Sequence, residues 1–139
     1  MDNKRDIVAI IPARMGSSRF PGKPMAKIID KPMIGHVYEK TRKCSLLLET
    51  FVATCDKEIA DYIESIGGKV IMTSDKHERA SDRTAEAMII IEKLIGKKID
   101  IVVMVQGDEP MVTAEMIEKS IEPFNNIDVN IVNLMSRME

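Results

Sequence analysis

Three short stretches of the chain carry residue types that can do chemistry. The first reads Ala13-Arg14-Met15-Gly16-Ser17-Ser18-Arg19-Phe20-Pro21-Gly22-Lys23-Pro24. From Ile7 to Ile29 there are four basic residues and no acidic one, in a chain of formal charge −2. Gly and Ser let backbone N–H groups turn toward one anion, and Arg14, Arg19 and Lys23 can add charge-assisted hydrogen bonds. A polyphosphate suits such a loop. It is neither a Walker A loop, because no Gly-Lys-Ser/Thr closes it, nor Gly-x-Gly-x-x-Gly. By composition alone it also suits a surface turn with solvated cations.

The second stretch, Val105-Gln106-Gly107-Asp108-Glu109-Pro110, places two acids and a glutamine after an apolar run. A carboxylate there can hold Mg²⁺, which takes one or two protein oxygens beside phosphates and water. Asp108 is the better ligand candidate, since Gly107 permits a sharp turn that exposes it. An ordinary turn with both acids in water is the alternative. The third stretch, Ser74 to Arg83, mixes charges densely. His77 can hydrogen-bond a ligand and Arg83 can reach a phosphate or an acid, or the run is a solvated loop and helix start with Asp82 serving the helix dipole. Cys55, at a strand end, has no partner base nearby and reads as packing. His36 falls on a helix and reads as structural or surface. The eleven Met residues read as core filler.

The elements around these stretches alternate. Strands are expected at Asp6–Pro12, Thr50–Thr54, Lys69–Thr73, Ile99–Val105 and Asp128–Leu134, from short β-branched runs. Helices are expected at Met33–Cys44, after Asp56 as N-cap through Ile66, from a Ser81 or Asp82 cap through Ile95, and at Thr113–Ile121. Gly67-Gly68 and Gly96 stop two of them. Ile99–Val105 is apolar enough to be covered on both faces. Such alternation means βαβ units and a mostly parallel sheet with helices on both faces, whose ligands bind where loops leave the C-terminal strand ends.

Composition bounds the rest. The 139 residues, 45% hydrophobic and 30% charged, suit one soluble globular domain. Twenty basic against 22 acidic residues argue against a nucleic-acid or membrane-surface binder. No apolar run reaches the ~18 residues of a spanning helix, and the N-terminus does not read as a signal peptide. Two cysteines without ligand spacing point to a reduced, cytoplasmic protein.

The motifs together resemble a known family. Ile11-Pro-Ala-Arg-Met-Gly-Ser-Ser-Arg-Phe-Pro-Gly-Lys-Pro24 is similar to the opening of the sugar-activating cytidylyltransferases, most of all the 3-deoxy-manno-octulosonate (Kdo) branch, with the acylneuraminate branch as a relative. Lys31-Pro32-Met33-Ile34 before His36-Val37, Val52-Ala53-Thr54, Met72-Thr73 before His77, and Val105-Gln-Gly-Asp-Glu-Pro-Met111 continue the match in register. The resemblance implies a Rossmann-like nucleotidyltransferase fold and transfer of CMP from CTP to the anomeric hydroxyl of an acidic sugar, as in nucleotide-sugar and lipopolysaccharide biosynthesis. It implies that Arg14, Ser17 and Lys23 take the triphosphate with Ala13 and Arg19 beside them. Gln106 and the His77 loop would contact the nucleotide, and Asp108 would bind Mg²⁺. Lys23, Arg14 and Asp108 would then be the catalytic set, acting by positioning and charge neutralisation with no covalent intermediate.

Two departures qualify the resemblance. The family's His-x-Ser-Gly-Thr-(Glu/Asp)-Arg reads His77-Glu78-Arg79-Ala80-Ser81-Asp82-Arg83 here, so base contacts or the sugar partner can differ. Family members are also roughly twice as long, and their later half supplies much of the sugar pocket, the dimer contacts and a second metal carboxylate. Residues 1–139 are therefore expected to be the nucleotide-binding part of a domain incomplete at its C-terminus, homodimeric when full length. A cytidylyltransferase for a nonulosonate or phosphonate acceptor and a non-catalytic CTP-binding fragment are the competing readings.

Overall fold

The computed structural model describes residues 6–16, 23–76, 79–107, 112–121 and 131–134. Among them β1 (Ile7–Pro12), β4 (Glu49–Thr54), β5 (Lys69–Met72), β6 (Ile101–Val105) and β7 (Ile131–Leu134) form one sheet in the order β5-β4-β1-β6-β7. Every pairing in it is parallel. Sequential strands step outward on one side of β1, then the chain crosses back to β6 on the other. The order therefore reverses between β1 and β6, and the crevice outside the C-terminal ends of those two strands is the expected ligand position of such a sheet.

Parallel strands need crossovers, and the helices α1 (Met33–Arg42), α2 (Lys57–Ser65), α3 (Ala80–Ile95) and α4 (Ala114–Ile121) supply them. The period-2 alternation of β1 sorts its side chains onto two cores. Ile7, Ala9 and Ile11 pack with Ile34, Val37 and Tyr38 of α1, Ile59 and Ile63 of α2, and Ile117 of α4. Val8 and Ile10 pack with Ala87 and Ile91 of α3 on the opposite face. Each fully buried Ile contributes about 1.5–3 kcal/mol of transfer free energy, so the two cores fix which way the loops at the sheet's end must leave. Tyr38 adds a polar tie: its buried hydroxyl donates to Thr50 O at 3.3 Å and accepts the Lys69 N–H at 3.0 Å.

The expected strands and helices all appear, with shifted ends. α1 stops at Arg42 rather than Cys44, β6 begins at Ile101 rather than Ile99, and β5 stops at Met72. α3 begins at Ala80 with Arg79 at the cap position, so Ser81 and Asp82 lie in the first turn instead of capping it. Gly96 ends α3 in the left-handed conformation (φ 74°), with its N–H on Glu92 O at 2.9 Å. The stretch before α1 holds more structure than a loop: a one-turn 3-10 helix at Lys23–Met25 and a small hairpin, β2 (Lys27–Ile28) with β3 (Lys31–Pro32). His36 is structural, its Nε2 lying 2.9 Å from Ile28 O. No helix among the described residues is long and apolar enough to cross a membrane.

Candidate functional site

The loops after β1 and β6 meet at the crevice. Gly107 is buried, and a Cβ built on it would lie 2.9 Å from Pro12 O, 3.1 Å from Ala13 Cβ and 3.3 Å from Ile34 Cδ1. Its φ is not in the left-handed region. The structure places Gly107 in a turn, as the sequence suggested, and adds a second demand for glycine, the close approach of two backbones. The exit of β6 thus rests directly on the exit of β1, which brings the start of the basic stretch to the start of the acidic one.

The first loop is pinned on its other side by β4. Ala13 N–H donates to Ala53 O at 3.0 Å, the last rung of the β1–β4 ladder, which ends at the Pro12–Ala53 pair. Met15 N–H donates to Asp56 Oδ2 at 2.7 Å. Two amides of the loop are therefore committed to protein acceptors and are not donors for an anion. Between them, Arg14 is half-buried and makes no hydrogen bond or ion pair among the described residues. Lys23 begins the 3-10 turn that packs against α1. Gln106 is half-buried at the end of β6. Ala13, Arg14 and Gln106 therefore gather at one end of the sheet, around the Gly107 contact. Ser17, Arg19, His77 and Asp108 lie outside the described residues.

Asp56 is the residue that sequence reasoning assigned elsewhere. It does hold the N-cap position of α2, with extended backbone (φ −103°, ψ 125°), but it makes no side-chain cap bond. A capping Asp is ordinarily worth about 0.5–2 kcal/mol to its helix, and here the carboxylate reaches across to a residue 41 positions earlier. An acid thus enters a stretch of sequence that contains none. No local signal separates a capping Asp from one that bridges to another loop.

Arg83 is likewise not where its charge alone would put it. It is 2% exposed, and its Nη1 donates to Thr73 Oγ1 and to Ser74 O at 3.1 Å. Glu86 accepts Ser74 N–H at 3.0 Å. The first turns of α3 thereby fix the end of β5 and the start of the third stretch, from inside the protein. The solvated reading of this run fails at Arg83.

A family profile described as cytidylyltransferase matches residues 8–138. The chain is 51% identical over 134 residues to 3-deoxy-manno-octulosonate cytidylyltransferase of Trichlorobacter lovleyi, covering 96% of this chain and 51% of that protein. It is 47% identical over 120 residues to 8-amino-3,8-dideoxy-manno-octulosonate cytidylyltransferase of a Shewanella strain, covering 86% of this chain and 47% of the relative. Among solved structures, CMP:2-keto-3-deoxy-manno-octonic acid synthetase complexed with CTP superposes with a TM-score of 0.80 at 40% identity, over 87% of this chain and 48% of that one. At 16% identity and a TM-score of 0.67, 4-diphosphocytidyl-2C-methyl-D-erythritol synthase shares the fold, over 85% of this chain and 54% of that one. The chain spans about half the length of the curated relatives it matches.

Proposed function

The chain belongs to the cytidylyltransferase family, and from that premise we propose that the whole protein transfers CMP from CTP to an acidic sugar of the 3-deoxy-manno-octulosonate type. The anomeric hydroxyl oxygen of the sugar attacks the α-phosphorus in line. The bond from that phosphorus to its bridging oxygen breaks, pyrophosphate leaves with the electron pair, and the hydroxyl proton passes to solvent. No covalent residue is needed; the protein's task is to hold the two reactants in line and to neutralise charge.

Arg14 and Lys23, with Ser17 and Arg19, are proposed to take the triphosphate. Ala13 is proposed to line the nucleotide site, with Gln106 and His77 contacting the nucleotide. Asp108 follows Gly107 directly and is proposed to hold Mg²⁺. One carboxylate beside phosphate oxygens and water suits this cation. Bound there, Mg²⁺ would offset the charge of the phosphate oxygens.

The observation that carries this reading is the contact of Gly107 with Pro12 and Ala13 at the point where strand order reverses. It brings the exits of the basic and the acidic stretch together. The test is titration calorimetry of this chain with CTP against UTP, ATP and GTP, and pyrophosphate release with CTP and 3-deoxy-manno-octulosonate by a chimera that joins this chain to the C-terminal half of the Trichlorobacter lovleyi relative. Preference for CTP with sugar-dependent release supports the proposal, and absence of CTP binding overturns it. An 8-amino-3,8-dideoxy acceptor is the second reading, favoured by the name of the Shewanella relative. Comparing both sugars in the same release assay separates the two.

A further inference from the structure

We infer that Asp56 is a positioning residue that sets the conformation of the loop after β1 and so presents Arg14 to the triphosphate. The last clause rests on the proposed function; the first does not. In a parallel pair the N–H groups facing the neighbour strand come from every second residue. Ala13 N–H on Ala53 O is such a rung, and the next falls on Met15. By then the neighbouring chain has turned to begin α2, and its backbone no longer follows β1. Asp56 Oδ2, 2.7 Å from Met15 N, supplies the missing rung from a side chain.

The backbone that carries this carboxylate is itself held in place. Asp56 N–H donates to Thr54 Oγ1 at 3.1 Å, Thr54 is fully buried, and Asp56 O accepts the Ala60 N–H at 3.1 Å to start α2. The Cys55 thiol lies 3.8 Å from the same Oδ2. The backbone on both sides of Arg14 is therefore tied to the β4–α2 corner, and that backbone needs no ordering when an anion arrives. The charge of Asp56 works against that anion, so the benefit of the clasp comes from the bond it accepts and not from its sign. This separates it from an ordinary acidic surface residue.

Three substitutions in this chain test it. Asp56→Asn keeps an acceptor and drops the charge. Asp56→Ala drops both. Asp56→Ser can cap α2 but falls short of Met15. Circular dichroism establishes that each is folded, amide hydrogen exchange of Met15 without nucleotide reads the clasp, and calorimetry with CTP and Mg²⁺ reads its consequence. The Ala and Ser variants are expected to speed Met15 exchange at least about tenfold and to weaken CTP binding roughly tenfold. The Asn variant is expected to keep the protection and to bind CTP as tightly as the wild type or tighter. Unchanged Met15 exchange in the Ala variant overturns the proposal, as does loss of CTP affinity in an Asn variant that still protects Met15. If the wild type bound no CTP while Met15 exchange followed this pattern, the nucleotide reading would fall and the clasp would stand as a device of the fold.

Discussion

Replacing Gly107 with Ala tests the junction on which the proposed site is built. The added methyl would sit 2.9 Å from Pro12 O, 3.1 Å from Ala13 Cβ and 3.3 Å from Ile34 Cδ1. The nearest of these is a backbone oxygen at the end of a central strand, so no rotamer change relieves it. Overpacking of this kind costs about 1–3 kcal/mol. Loss of glycine's freedom in the unfolded chain returns about 0.4–1 kcal/mol, which leaves a net cost of up to about 2.6 kcal/mol and a deficit of about 1–3 kcal/mol against a glycine replaced where there is room. Gly16→Ala is the matched control, because a Cβ there meets nothing within 4 Å and the backbone is not left-handed. Urea denaturation should give a lowered midpoint with unchanged slope for Gly107→Ala, and a midpoint at or above wild type for Gly16→Ala. The strain can be relieved only by moving the β6 exit off the β1 exit, so CTP affinity should fall with stability, by roughly tenfold, or ~1.4 kcal/mol. A Gly107→Ala chain as stable as the Gly16→Ala control would mean that the two loops do not meet as described, and the argument for a shared site would go with it.

Other perturbations probe separate parts. Lys23→Ala should weaken CTP binding by about 1–3 kcal/mol with the fold intact, and calorimetry showing wild-type affinity would remove Lys23 from the site. Asp108→Asn in that chimera with the relative's C-terminal half should keep the fold and abolish Mg²⁺-dependent pyrophosphate release, because a neutral amide cannot match a carboxylate beside phosphate and cation; normal turnover would mean another acid holds the metal. Tyr38→Phe strips partners from Thr50 O and Lys69 N–H and should cost about 1–3 kcal/mol in a urea melt, with CTP affinity unchanged since both groups lie away from the crevice. This chain alone, spanning half of its relatives' length, is expected to release no pyrophosphate from CTP and 3-deoxy-manno-octulosonate, and robust release would mean that the acceptor site is built from these loops.

What the sequence made legible, and what it hid, divides along one physical line. β1, β6 and the helices between them could be read because hydrophobic periodicity is local: each run carries its own record of which face is buried. The strand order added the crevice, since a parallel sheet of this connectivity has one reversal. The positions of Arg14 and Gln106 were legible for the same reason, as polar residues just past buried strands. The rest depends on contacts between residues distant in the chain. Asp56 looks like a helix cap because a cap and a bridge to Met15 need the same residue type at the same position. Gly107 could be read as a turn glycine, but its contact with Pro12 and Ala13 could not, because close approach leaves no trace in its neighbours. Arg83 looks like a surface charge because its acceptors at Thr73 and Ser74 become visible only when α3 lies against the end of β5. All three residues hold a loop in place through contacts within the protein. The chemistry-bearing side chains could therefore be proposed from type and spacing, whereas the residues that hold them in place emerged only once the backbone paths were known. The same division explains why conservative changes at Asp56 and Gly107 are the sharper tests: they perturb the support and leave every proposed ligand-contacting side chain as it is.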